Sequence, residues 1–96
     1  MSKHYQIKED VFFDENSEGI YVLSPSGDTL ILDDPVAKMV WSLLSNEIAH
    51  KSLVEEIMSA CNLDHSMFHE VDEDIKIFLK ELEAHGLIWI KSNVTN

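Results

Sequence analysis

Basic residues are scarce in this chain: seven Lys and Arg together stand against 18 Asp and Glu over 96 residues, for a formal net charge of −11. No window is basic, so the clustered cations with which nucleic-acid binders neutralise phosphates are missing. DNA and anionic membrane are therefore not expected as partners. Cysteine is as rare. Cys61 stands alone, so no disulfide can form within the chain, and its place in a helical apolar pattern without a cationic neighbour marks a small core residue rather than a nucleophile. No stretch approaches the roughly 18 apolar residues of a membrane span, and the opening MSKHYQIKED has no apolar run of the kind a signal peptide needs. A reducing, cytoplasmic setting is the expectation. Asn93-Val94-Thr95 has the spacing of a glycosylation acceptor, which stays idle without a secretory route. The three glycines, at 19, 27 and 86, are accounted for by turns and a helix end. With them go the P-loop, the dinucleotide fingerprint and the G-x-S-x-G elbow, none of which is present. A binding module is expected, not an enzyme.

What is there reads as one globular domain. The apolar fraction is 45%, enough for a modest core in a chain of this length. Val11, Phe12 and Phe13 suggest a first strand at about 10–14, and Ile20 to Leu23 a second. Ser24-Pro25-Ser26-Gly27-Asp28 then has the chemistry of a bulged hairpin loop, with Pro25 presetting φ and Gly27 free to take φ > 0. It should pair Ile20–Leu23 with Thr29, Leu30, Ile31 and Leu32, an apolar run stopped by Asp33, Asp34 and Pro35. From there the signals are helical. An Asp N-cap and Pro at the first helical position open a helix to about Leu44 or Ser45, with Val36, Met39, Val40, Leu43 and Leu44 as its buried stripe and Trp41 beside it. Ser45 to Lys51 reads as a connector. Ser52-Leu53-Val54-Glu55 has capping-box spacing, which predicts a second helix that buries Leu53, Ile57, Met58 and Cys61. After a turn over Leu63–Ser66, a third helix runs from about Met67 to His85 and ends on Gly86. The core spans about residues 10–90 between short flexible tails.

At about 100° per residue, Val71, Ile75, Phe78, Leu79 and Leu82 share one face of the third helix, and Ile77 lies opposite, among acids and lysines. An exposed isoleucine is ordinary; it also offers a partner or homodimer contact. His65, His69 and Asp72 fall on successive turns, but nothing completes a metal set. The acids from Glu70 to Asp74 suit the positive end of the helix dipole without any catalytic role.

An α+β order of three antiparallel strands followed by three helices, the last reading DIKIFLKELEAHGLIW, resembles the PqqD-like family, or RiPP recognition elements. These winged-helix-like proteins hold the leader peptides of ribosomally made precursors. The resemblance lies in Asp74-Ile75, Phe78-Leu79, Leu82 and Gly86-Leu87, with Ala37, Val40, Trp41, Leu43 and Leu44 similar to the family's first helix. It covers about residues 10–90. It implies a non-catalytic peptide chaperone that takes a leader as an added strand and presents it to a modifying enzyme such as a radical SAM enzyme, protease or cyclase, with no cofactor and no metal. The site it implies is Thr29, Leu30, Ile31, Leu32 and Asp33 on the strand, with Asp74, Ile77, Phe78 and Glu81 on the third helix. Such strand addition draws affinity from backbone hydrogen bonds and specificity from side-chain pockets. It also gives a reason for an uncharged strand edge, which folds otherwise cover. Two other classes share the architecture. A winged-helix transcription regulator would need a basic recognition helix, whereas Asp72, Glu73, Asp74, Glu81 and Glu83 outnumber Lys76 and Lys80 here. A structural or oligomerising subunit would self-associate without affinity for any peptide.

Overall fold

The computed structural model describes residues 2–93, so the glycosylation spacing at Asn93-Val94-Thr95 runs outside the described residues. Six strands and three helices follow in the order β1 (Ser2–Ile7), β2 (Phe12–Asn16), β3 (Gly19–Leu23), β4 (Thr29–Leu32), α1 (Pro35–Leu43), β5 (Ile48–Ala49), α2 (His50–Ala60), a 3-10 turn at His65–Met67, α3 (Phe68–Ala84) and β6 (Ile88–Asn93). The fold is α+β, with two antiparallel three-stranded sheets, β2-β3-β4 and β5-β1-β6.

The first sheet is the expected one. Ile20 pairs with Leu32 and Val22 with Leu30, and the hairpin closes through Ser24 N–H donating to the Asp28 carbonyl at 2.8 Å and Gly27 N–H to the Ser24 carbonyl at 3.0 Å. Its inward residues Ile20, Val22 and Leu32 are buried, while Phe13 meets Trp41 edge-on with ring centroids 5.4 Å apart. Trp41 packs from α1 against this sheet and is fully buried.

The second sheet departs from the expectation of tails. Ser2–Ile7 and Ile88–Asn93 pair along their whole length, from Ser2 with Asn93 to Ile7 with Ile88. Neither segment pairs with a strand near it in sequence, and β1 carries only Tyr5 and Ile7 as apolar signal, so the strand state of each rests on distant partners. The two residues of β5 join β1 on its other side, within the stretch read as a connector.

The helices bury Val40, Trp41 and Leu44 from α1 and its end, Leu53, Val54, Ile57 and Met58 from α2, and Ile75, Leu79 and Leu82 from α3, in one core with Tyr5, Leu87 and Ile88. Asp34 caps α1, accepting from Val36 N–H at 3.0 Å and Ala37 N–H at 3.1 Å. The expected cap of α2 is not made. That helix starts two residues before Ser52, at His50, with no side-chain cap, because pairing of Ile48–Ala49 with β1 sets where the helix can begin. The C-terminal end of α3 is as read: Leu87 N–H reaches the Leu82 carbonyl at 3.0 Å and Gly86 N–H the Glu83 carbonyl at 2.9 Å, with Gly86 at φ 72°. This is the Schellman closure that glycine favours. Among the described residues no helix is long and apolar enough to cross a membrane.

Candidate functional site

The sheet order leaves β4 at an edge, where among the described residues it is hydrogen-bonded to β3 alone. Antiparallel pairs alternate between hydrogen-bonded and open. Ser24–Asp28 is a bonded pair, so Val22–Leu30 and Ile20–Leu32 are bonded as well, and Thr29 and Ile31 direct their N–H and C=O groups away from β3. Those groups, with those of Asp33 beyond the strand end, form the free edge. The opposite edge, β2, carries Asp14 and Glu15, charges of the kind that blunt an edge against pairing. The TLIL of β4 carries none.

Side chains divide between the two faces of this sheet. Leu30 and Leu32 turn to the core, Leu32 buried and Leu30 partly so. Thr29 and Ile31 turn outward beside Leu23, Tyr21 and Phe12, leaving an apolar outer face on which Phe12 is 74% and Ile31 54% exposed.

Where β4 ends, Asp34 opens an apolar cleft of about 420 Å³ between α1 and α3, lined by Val36, Ala37 and Val40 on one side and Asp74, Ile75 and Phe78 on the other. Phe78 is a partly buried wall, and Asp74 stands exposed at the mouth. Ile77 and Glu81 lie on the same flank of α3 but outside the cleft, both exposed. Of the residues expected at the site, then, Asp74 and Phe78 line the cleft, Thr29–Asp33 form the edge that leads to it, and Ile77 and Glu81 lie farther out. Val36 and Ala37, which the sequence pattern does not assign to the site, line it as well. The signal was available in Val36, placed in a buried stripe yet next to the N-cap, where a helix emerges toward solvent; it is 40% exposed.

The metal face suggested by His65, His69 and Asp72 does not form. Asp72 instead accepts from His50 Nε2 at 2.5 Å and from Lys76 Nζ at 3.1 Å, and among the described residues no His, Cys, Asp and Glu cluster suited to a metal is present. On its other nitrogen, Nδ1, His50 meets the Tyr5 hydroxyl at 2.8 Å. Toward the Asp72 carboxylate Nε2 donates, and Nδ1 shares the second hydrogen bond with the Tyr5 hydroxyl. Partial burial pushes the Asp72 carboxyl up, but the hydrogen bonds from His50 and Lys76 and the charge of Lys76 outweigh it and hold the group below the usual aspartate range. Burial, and then the negative charge of Asp72, raise the Tyr5 phenol above its ordinary value.

Searches of protein-family models, of curated proteins and of solved structures find no match to this chain.

Proposed function

We propose that the protein is a peptide-binding module that takes an extended segment as an additional strand on β4 and anchors one of its side chains in the cleft between α1 and α3. The resemblance to leader-binding proteins makes the segment the leader of a ribosomally made precursor. The protein then acts as a non-catalytic chaperone, holding the precursor for a modifying enzyme such as a radical SAM enzyme, protease or cyclase. One observation carries the reading: an uncharged strand with its outward backbone groups unpaired among the described residues runs directly into an apolar cleft. Strand addition needs both parts, a ladder for the backbone and a pocket for alternate side chains. Apolar peptides whose anchor fits between Val36 and Phe78 should bind with a Kd of about 10⁻⁶ to 10⁻⁴ M, since ordering a flexible segment takes back about 2–5 kcal/mol of what the contacts contribute.

The test is selection from a random library of displayed linear peptides, followed by amide shift mapping with an enriched peptide. Shifts at residues 28–34 and 74–78 are expected. Shifts confined to α2, or a library that yields no binder, would overturn the proposal.

A further inference from the structure

The chain has no arginine, and its seven cations are all lysines. Four of them, Lys3, Lys51, Lys76 and Lys80, line one cleft of about 650 Å³ on the flank of α3 away from β4. The floor is the inner face of the second sheet, where Tyr5 of β1 lies opposite Ile90 of β6 and Lys3 opposite Ser92. One wall is the start of α2, with His50 and Lys51, and the other is α3, with Lys76, Leu79, Lys80 and Glu83.

Convergence on one concave surface sets this cluster apart from scattered surface lysines. Lys3, Lys51 and Lys80 make no salt bridge among the described residues, although acids outnumber cations 18 to seven. Lys8 and Lys38, outside the cleft, also make no salt bridge among the described residues, so it is the convergence of three such ammonium groups on one concave surface that suits a charge from outside. The wall behind them is also held in place. The run Tyr5–His50–Asp72–Lys76 ties β1, α2 and α3 together through three polar contacts and fixes the Lys76 ammonium group at the rim.

We propose that this cleft binds an oligophosphate group. Ammonium groups act as point charges that suit phosphate oxygens, whereas planar carboxylates are better matched by the fork of arginine, which is missing here. Lys76 and Lys80 are one turn apart on the same helix face, a separation that suits neighbouring phosphates, with Lys51 and Lys3 facing them from the wall and the floor. Glu83 is the one acid in the lining and Asp72 already pairs with Lys76, so the excess positive charge comes from Lys3, Lys51 and Lys80. The apolar floor of Tyr5, Leu79 and Ile90, and a volume larger than a phosphate chain alone fills, leave room for a nucleoside. The inference is independent of peptide binding at β4.

Titrating the isotope-labelled protein with inorganic pyrophosphate and, separately, with ATP tests it. Both should shift the amides of residues 3–5, 50–52 and 76–83, with dissociation constants below about 10 mM. Tighter binding of ATP identifies a nucleotide as the source of the phosphates; equal binding identifies the free oligophosphate. The double variant Lys51→Gln/Lys80→Gln should bind at least about tenfold more weakly, while Lys38→Gln on α1, away from the cleft, should bind as the parent does. Two results would overturn the proposal: no shift at these residues with either ligand, or an undiminished affinity in the double variant.

Discussion

Gly19 is the residue with the least freedom to change. At φ 146° it occupies a region that side chains avoid, and a Cβ there would stand 2.5 Å from the Leu32 carbonyl oxygen of β4. Gly19→Ala should therefore lower stability by about 1–3 kcal/mol, read as a lower urea midpoint, and should broaden the amide signals of residues 29–33. An unchanged midpoint would show that β4 can move aside freely. Asp72 sets the acid limb of stability. Its carboxyl lies below the usual range in the fold, so the unfolded chain takes up the proton first. The stabilisation is fully present above an unfolded value of about 3.9 and is lost as the pH falls through the lower folded value. Asp72→Asn should lower the urea midpoint near neutrality and flatten its decline below about pH 4; a parallel decline in both proteins would remove Asp72 from the acid response. The Tyr5 phenol is raised, so the sign is reversed. Its contribution is present below about pH 10 and fades as the pH climbs through the higher folded value. Phenolate absorbance should show one tyrosine titrating late, and Tyr5→Phe should remove that late step.

At the scale of elements, the alternation along β4 separates folding from binding. Ile31 faces Tyr21 in an open pair, so its N–H lies on the free edge and is not used by the β3 ladder. Proline is tolerated where a strand's N–H side is unpaired. Ile31→Pro should then leave the fold's amide spectrum largely intact while reducing affinity for a selected peptide about tenfold or more. Leu30→Pro, which removes a ladder donor, should disturb the sheet itself. If Ile31→Pro binds as tightly as the parent, β4 is not the docking strand. The elements also show how far local signals carry. The β3–β4 hairpin, α1 and α3 begin or end where turn, cap and Schellman chemistry predict, because those contacts lie within six residues of one another. The start of α2 does not, since Ser52 has the right spacing but pairing between β5 and β1 overrides it.

Across the whole molecule, charge is sorted by sheet. Residues 9–37, which contain β2, β3 and β4, hold eight of the 18 acids and no Lys, Arg or His. That segment accounts for −8 of the net −11, and the remaining ten acids against seven lysines give −3. Four of the seven lysines, from β1, α2 and α3, line one cleft, so an acidic chain presents a local basic concavity. Self-repulsion within the first sheet should be relieved by counterions: raising salt from about 0.02 to 0.3 M, across the range where the Debye length falls to molecular contact distances, should raise the thermal midpoint. A midpoint indifferent to salt would mean that ion pairs lost elsewhere balance the repulsion. The same sorting favours a basic segment or enzyme surface over the first sheet, with electrostatics acting mainly on the association rate.

Features encoded over a turn or a few residues are legible in the chain alone. These are the hairpin that makes β4, the Asp34 cap, the apolar stripe of α3 with Ile77 outside it, and the closure at Gly86. The free edge of β4 does not belong with them: the sequence implies it only through the family resemblance, and the sheet order, with β3 as the one described strand paired to β4, leaves it open. Tertiary structure alone decided the rest. β1 pairs with β6 across more than 80 positions of chain and with β5 on its other side, and this assembly brings Lys3 to Lys51, Lys76 and Lys80 and joins Tyr5 through His50 to Asp72. No periodicity marks such residues in advance. A contact between distant segments costs chain entropy that local propensity does not record, and it forms because the assembled core, once Tyr5, Leu87 and Ile88 are buried in it, outweighs that cost.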